Sequence, residues 1–107
     1  MHYDRFERVD WSRRSTYMRR KHGLTVEVAD EALGDPNRVV IQPDYNSISG
    51  RSVRVIGYSM IAEAIVTVIV LEDDGAEYGV NGWLANERDR RLYNEERSGT
   101  GGTDGQP

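Results

Sequence analysis

The chain has 107 residues, 37% hydrophobic and 30% charged, with a net charge of −4 at neutral pH and no cysteine. That composition suits one soluble globular domain with a single core. It excludes disulfides, thiolate nucleophiles and cysteine-ligated zinc or iron–sulfur centres. The net charge hides a dipolar layout. Residues 1–22 hold seven of the 14 cations against three acids, for +4, whereas residues 23–87 hold three Arg against eleven acids, for −8. Arginine supplies 13 of the 14 cations. Its planar fork pairs bidentately with phosphate, so a cationic front on an acidic body points to a polyanion. Met1 to Asp10 is charged and carries no apolar run, which is unlike a signal peptide. The longest apolar stretch, Ala64 to Leu71, is far short of the ~20 residues of a membrane helix. A cytoplasmic protein with no membrane association is expected.

In chain order, Tyr3 to Val9 is expected to be a short edge strand. Trp11 to His22 reads as a helix, because Trp11, Ser15, Met18 and His22 share one face. Arg13, Tyr17 and Arg20 take the opposite face, flanked by Arg14 and Lys21. Gly23 stops this helix. Thr25 then caps a second one, with Glu27 in its first turn, Leu24 and Ala29 as a hydrophobic staple and an apolar stripe of Val28, Ala32 and Leu33. Gly34 and Asp35-Pro36 end it. Arg38 to Gln42 is a strand, and Pro43 to Gly50 a turn-rich loop. Arg51 to Tyr58 alternates, with Val53 and Val55 on one face and Arg54, Ile56 and Tyr58 on the other. Ala64 to Leu71 is expected to be a central strand covered on both sides. Asp73-Asp74-Gly75 marks a hairpin. Glu77 to Trp83 is a further strand, in which Gly79 and Gly82 signal a bulge or a close backbone approach. A last helix runs from about Ala85 to Glu96, with a capping box of Asn86 and Asp89, a Glu87–Arg91 pair and an apolar face of Leu92 and Tyr93.

The order is (β)ααββββα. It predicts an α+β fold in which two N-terminal helices and one C-terminal helix pack on a mainly antiparallel sheet of four to five strands. Residues 1–97 form the domain, and residues 98–107, a Gly/Thr-rich tail without core residues, are expected to be disordered.

Several short segments occur in a familiar order: Lys21-His22-Gly23, Glu31-Ala32, Asp35-Pro36, Val55-Ile56-Gly57-Tyr58-Ser59, the apolar strand, and Ala85 followed by Arg90-Arg91-Leu92-Tyr93. On these the chain resembles the BrnT family of small toxins across residues 10–93. The resemblance implies a RelE-like fold and a metal-independent endoribonuclease that acts on RNA, without cofactor. It also implies a cognate antitoxin of ribbon-helix-helix type, which joins the toxin in an oligomeric complex that represses their operon. The chain departs from the family where Trp83 and Leu84 precede Ala85 in place of arginines, and where Ser52 aligns with a strand-borne arginine. Asp89 aligns with the family's acid in the last helix.

Metal-free RNA cleavage needs a base for the 2′-hydroxyl, a cation for charge on phosphorus and an acid for the leaving oxygen. His22 suits either proton-transfer role. Lys21, Arg51 and Arg54 are candidate phosphate stabilisers, and Tyr93 or Tyr58 a hydrogen-bond donor or stacking ring. Arg13, Arg14, Tyr17 and Arg20, with Trp83 as a stacking ring, form the candidate nucleic-acid surface. Each has a plainer reading. His22 shares a face with Trp11 and Met18, which suits a hydrogen-bonded structural histidine as well as a catalytic one. Lys21 complements a helix C-terminus. The arginine cluster can be a solvated face, Tyr93 an anchor for the last helix and Trp83 a packing residue. Glu72-Asp73-Asp74 reads as a solvated hairpin, and no metal motif, P-loop, Ser–His–Asp order or dinucleotide fingerprint is present. Two functions stay open: a BrnT-like ribonuclease toxin, and a relative that has lost catalysis and binds protein or nucleic acid through its basic first helix.

Overall fold

The sheet is organised around the apolar run. In the computed structural model, which describes residues 5–102 and the side chains of residues 5–96, Ala64–Asp73 (β3) pairs antiparallel with Ser52–Ser59 (β2) and with Ala76–Leu84 (β4). Val39–Ile41 (β1) pairs antiparallel with β2, giving the order β1-β2-β3-β4. The helices are Ser15–His22 (α1), Val26–Leu33 (α2) and Glu87–Gly102 (α3). The protein is therefore α+β, with three helices on a four-stranded antiparallel sheet.

Val53, Val55, Val66, Val68 and Val70 share one sheet face and are fully buried, because α1 and α2 cover it. Two glycines set how closely α2 and the segment leading into α1 sit on the sheet. A Cβ on Gly57 would lie 2.1 Å from the Ala32 carbonyl oxygen of α2, and one on Gly79 would lie 2.4 Å from the Trp11 ring. The expectation at Gly79 and Gly82 holds in both senses, since the β3–β4 register shifts between Ile69 and Val70. Thr25 caps α2 through Oγ1, which accepts from the Val28 N–H at 3.3 Å, and Gly23 closes α1 with φ of 70°.

Four expectations need correcting. Arg5 to Arg8 form turns, so the described part of the Tyr3–Val9 segment is no strand; Phe6 adopts φ of 72° and buries its ring, leaving only a parallel bridge between Asp10 and Tyr78. Tyr3 itself lies outside the described residues. The first helix begins at Ser15 rather than Trp11, because Trp11 turns inward and its indole donates to Asp30 of α2 at 3.0 Å. The last helix extends past Glu96 to Gly102, so the expected tail begins in helix, and residues 103–107 lie outside the described residues. Finally, Arg54, expected as a phosphate stabiliser, is not presented to solvent. The helix α3 packs on its sheet face, and Arg54 and Thr67 are both buried.

Candidate nucleic-acid interface

Helix α1 carries no acid in its first turn and four basic residues, Arg19, Arg20, Lys21 and His22, in its last. Met18 alone of its residues is buried, so the charged groups stand in solvent. The cations opposite the helix macrodipole's negative end stabilise the helix while remaining available to a ligand. Arg14 is held along the sheet edge: its Nε donates to the Val80 carbonyl of β4 at 3.2 Å, and its guanidinium lies 4.1 Å from the Tyr17 ring centre. Lys21 Nζ is 5.9 Å from the same ring, and Arg13 sits 4.7 Å from the ring of Tyr78. Arg19 and Arg20 line a shallow groove of about 350 Å³ with Thr16, Thr25 and Glu27. Among the described residues, Arg13, Arg14, Arg19, Arg20 and Lys21 form no ion pair.

His22 is exposed, so it is not the enclosed structural histidine that its place on the Trp11/Met18 face allowed. Its ring rests on Trp83, 5.5 Å between centroids and tilted by 49°. Trp83 is half-buried at the end of β4, and the Arg54 guanidinium lies 5.6 Å from its ring centre. The structure thus gathers His22, Lys21, Arg13, Arg14, Tyr17, Arg20 and Trp83 along α1 and the adjoining β4 edge.

Arg54 lies beneath this surface. Its side chain is 3% exposed; Nε donates to Asp44 at 2.6 Å, and Nη1 pairs with Asp89 of α3. Asp89 also accepts from the Tyr45 hydroxyl at 2.6 Å and from Thr67 Oγ1 at 2.7 Å. Burial pushes the Asp89 carboxyl up, but these three hydrogen bonds and the Arg54 charge outweigh it and hold the group below its ordinary value. Burial also drives the Tyr45 hydroxyl upward, as does its bond to Asp89. For Arg54 the desolvation penalty is outweighed by the two carboxylates, and it stays charged. One guanidinium facing two carboxylates has no net positive charge to offer a phosphate.

The other two catalytic candidates stand elsewhere. Arg51 makes an exposed 3.2 Å ion pair with Asp73 at the β3–β4 hairpin. The cross-strand line Ile56–Thr67–Trp83 places it five residues up β2 from the tryptophan's level, roughly 16 Å at ~3.3 Å per residue. Tyr93 is buried and donates its hydroxyl to Asp35 at 2.6 Å. The same Asp35 oxygen accepts from the Tyr58 N–H at 2.8 Å. Tyr93 and Tyr58 line a cleft of about 500 Å³ with Glu31, Asp35, Pro36 and Met60. Tyr93 therefore anchors α3 to the end of α2.

Sequence reasoning gave no role to Tyr45, Asp44, Thr67 or Arg88. One signal was present for Thr67, the sole polar residue within an otherwise apolar central strand, where a buried hydroxyl demands a partner. Asp89 was assigned to a capping box. Only half of that box forms: Asn86 Oδ1 accepts from the Asp89 N–H at 2.9 Å, while the Asp89 side chain turns to the sheet. Among the described residues no group of acids and histidines could hold a metal, and no helix is long and apolar enough to cross a membrane. No protein-family model matches the sequence, and no curated protein matches it.

Proposed function

We propose that the protein is a BrnT-like ribonuclease toxin that binds RNA along α1, with His22 as the proton-transfer group. The observation that carries this reading is the exposed His22, seated on Trp83 at the end of a helix whose cations have no acidic partners among the described residues. An imidazole beside cations supplies the base for the 2′-hydroxyl and the charge to offset the phosphorane, with water protonating the leaving 5′-oxygen, and the neighbouring ring offers a surface on which a base can stack. Lys21 is the nearest cation in sequence to offset charge on phosphorus, and Arg14 and Arg20 hold the flanking phosphates. On this reading the partner is a ribbon-helix-helix antitoxin, whose acidic or apolar surface occupies α1 in an oligomeric complex.

The test is cleavage of total RNA by the purified chain. Wild type should cut, and His22→Ala should slow cutting by about 10²–10⁴-fold, the usual worth of general acid–base catalysis. Equal rates for the two proteins would refute the assignment of His22. A second reading, binding without cleavage, is favoured by one observation: Arg54 is occupied by Asp44 and Asp89. It predicts RNA affinity with no cleavage at any enzyme concentration. It further predicts that Leu84→Arg, at a position 57% exposed beside Trp83, brings cleavage about.

A further inference from the structure

Beyond Trp83 the stacking continues. The Arg54 guanidinium lies 4.1 Å from the Tyr45 ring centre, and the Arg88 guanidinium of α3 lies 3.9 Å from that ring. His22, Trp83, Arg54, Tyr45 and Arg88 thus form one column, two rings followed by a cation, a ring and a cation, in steps of 3.9–5.6 Å, from the end of α1 across the sheet to the first turn of α3. The inner cation is neutralised and the outer one is not. Arg88 is exposed and has no ion pair among the described residues. Tyr45 cannot swing, because its hydroxyl is tied to Asp89 and its ring contacts Arg54.

From this geometry we infer that the column is the floor of a track for single-stranded RNA, and that Tyr45 and Arg88 are binding residues for the part of the strand beyond His22. Tyr45 is a rigid platform on which a base stacks after Arg88 lifts away. Arg88 then takes the phosphate on that base's far side. A duplex keeps its bases stacked inside and offers none to the platform, so the track selects unpaired RNA. The inference rests on the RNA-binding reading above, but adds a second contact region that α1 does not contain.

The experiment measures binding of a fluorescein-labelled single-stranded RNA of about 12 nucleotides to the full chain carrying His22→Ala, which slows cleavage enough for binding to be read. Added Arg88→Gln should weaken binding about fivefold or more and lower the salt slope, log Kd against log salt, by about one. Tyr45→Ala should weaken it about five- to a hundredfold, and Tyr45→Phe, which keeps the ring, by less than about twofold. Ultraviolet crosslinking of RNA to the unmutated Tyr45 peptide keeps the idea falsifiable if Tyr45→Ala does not fold. If Arg20→Ala weakens binding while Arg88→Gln does not and Tyr45 fails to crosslink, the track is wrong and the α1 reading survives. A duplex of the same sequence binding as tightly as the single strand would also overturn the track. No RNA binding by the starting protein would overturn both.

Discussion

Replacing Asp89 by Asn tests the centre of the fold. The side chain is fully buried and accepts from Tyr45, Thr67 and Arg54 at once. Asparagine keeps the shape but turns one acceptor oxygen into an NH₂ donor, which the Tyr45 hydroxyl can meet only by giving up its own donation, and it removes the charge opposite Arg54. Removing one partner from a buried ion pair costs about 3–5 kcal/mol. Here Asp44 stays with Arg54 at 2.6 Å, so the guanidinium keeps one carboxylate and the loss should sit near the lower end, about 3 kcal/mol. For a domain of this size that lowers the melting temperature by roughly 12–24 °C, at ~4–8 °C per kcal/mol. Urea unfolding followed by far-ultraviolet circular dichroism measures it. Glu87→Gln is the control, because the Glu87–Arg91 pair is exposed on both sides and should be worth less than about 0.5 kcal/mol. A loss below about 1 kcal/mol for Asp89→Asn would refute the buried network.

The same carboxylate gives a pH dependence. Its value in the fold lies below that in the unfolded chain. Its stabilising contribution is therefore complete above an unfolded value of about 3.9 and lost as pH falls through the lower folded value. Wild type should lose stability faster than Asp89→Asn below about pH 4 in acid titrations of the urea midpoint; parallel curves would contradict the assignment. Gly57→Ala should cost at least about 3 kcal/mol, because two backbones would have to separate, and Gly75→Ala only about 1–2 kcal/mol, because its added Cβ meets nothing and the cost is backbone strain alone. Similar thermal stabilities for those two variants would show that α2 is not seated on β2 as described. Thr25→Ala should cost about 1 kcal/mol in the same assay and Thr25→Ser much less; an unchanged midpoint for Thr25→Ala would refute the cap.

What was legible in the sequence is what short-range chemistry decides. Thr25 with its following stripe, Gly23, the Asp74-Gly75 turn and the largely apolar run of β3 each carry their own signal, and each folds as read. Alternation also placed Arg54 on the face opposite Val53 and Val55. What alternation could not supply was the cover on that face. The partners of Arg54 lie 10 and 35 residues away, one in an irregular loop and one in the last helix. Nothing local to Arg54 distinguishes an arginine awaiting phosphate from one already paired. The start of α1 was misread for a related reason. Trp11 keeps helical spacing with Ser15 and Met18, yet the indole has a better site against Gly79 and Asp30 than the extra turn could give it.

On the RNA-binding proposal, the buried network also bears on which way round a bound strand would lie. Arg54 with Asp44 and Asp89 makes a cluster of net charge −1 beneath Trp83 and Tyr45. In a partly desolvated setting that charge repels a phosphate drawn down toward the sheet. The cations of Arg13, Arg14, Arg20 and Lys21, which form no ion pair among the described residues, stand instead around α1, with Arg88 at the far end of the column. A polyanion on this surface is therefore stable only with its phosphates held at the two helical margins and its bases turned toward the rings between them. On that proposal, the charge that removes Arg54 from phosphate contact would set the strand's orientation, at a site lacking a positive centre of its own.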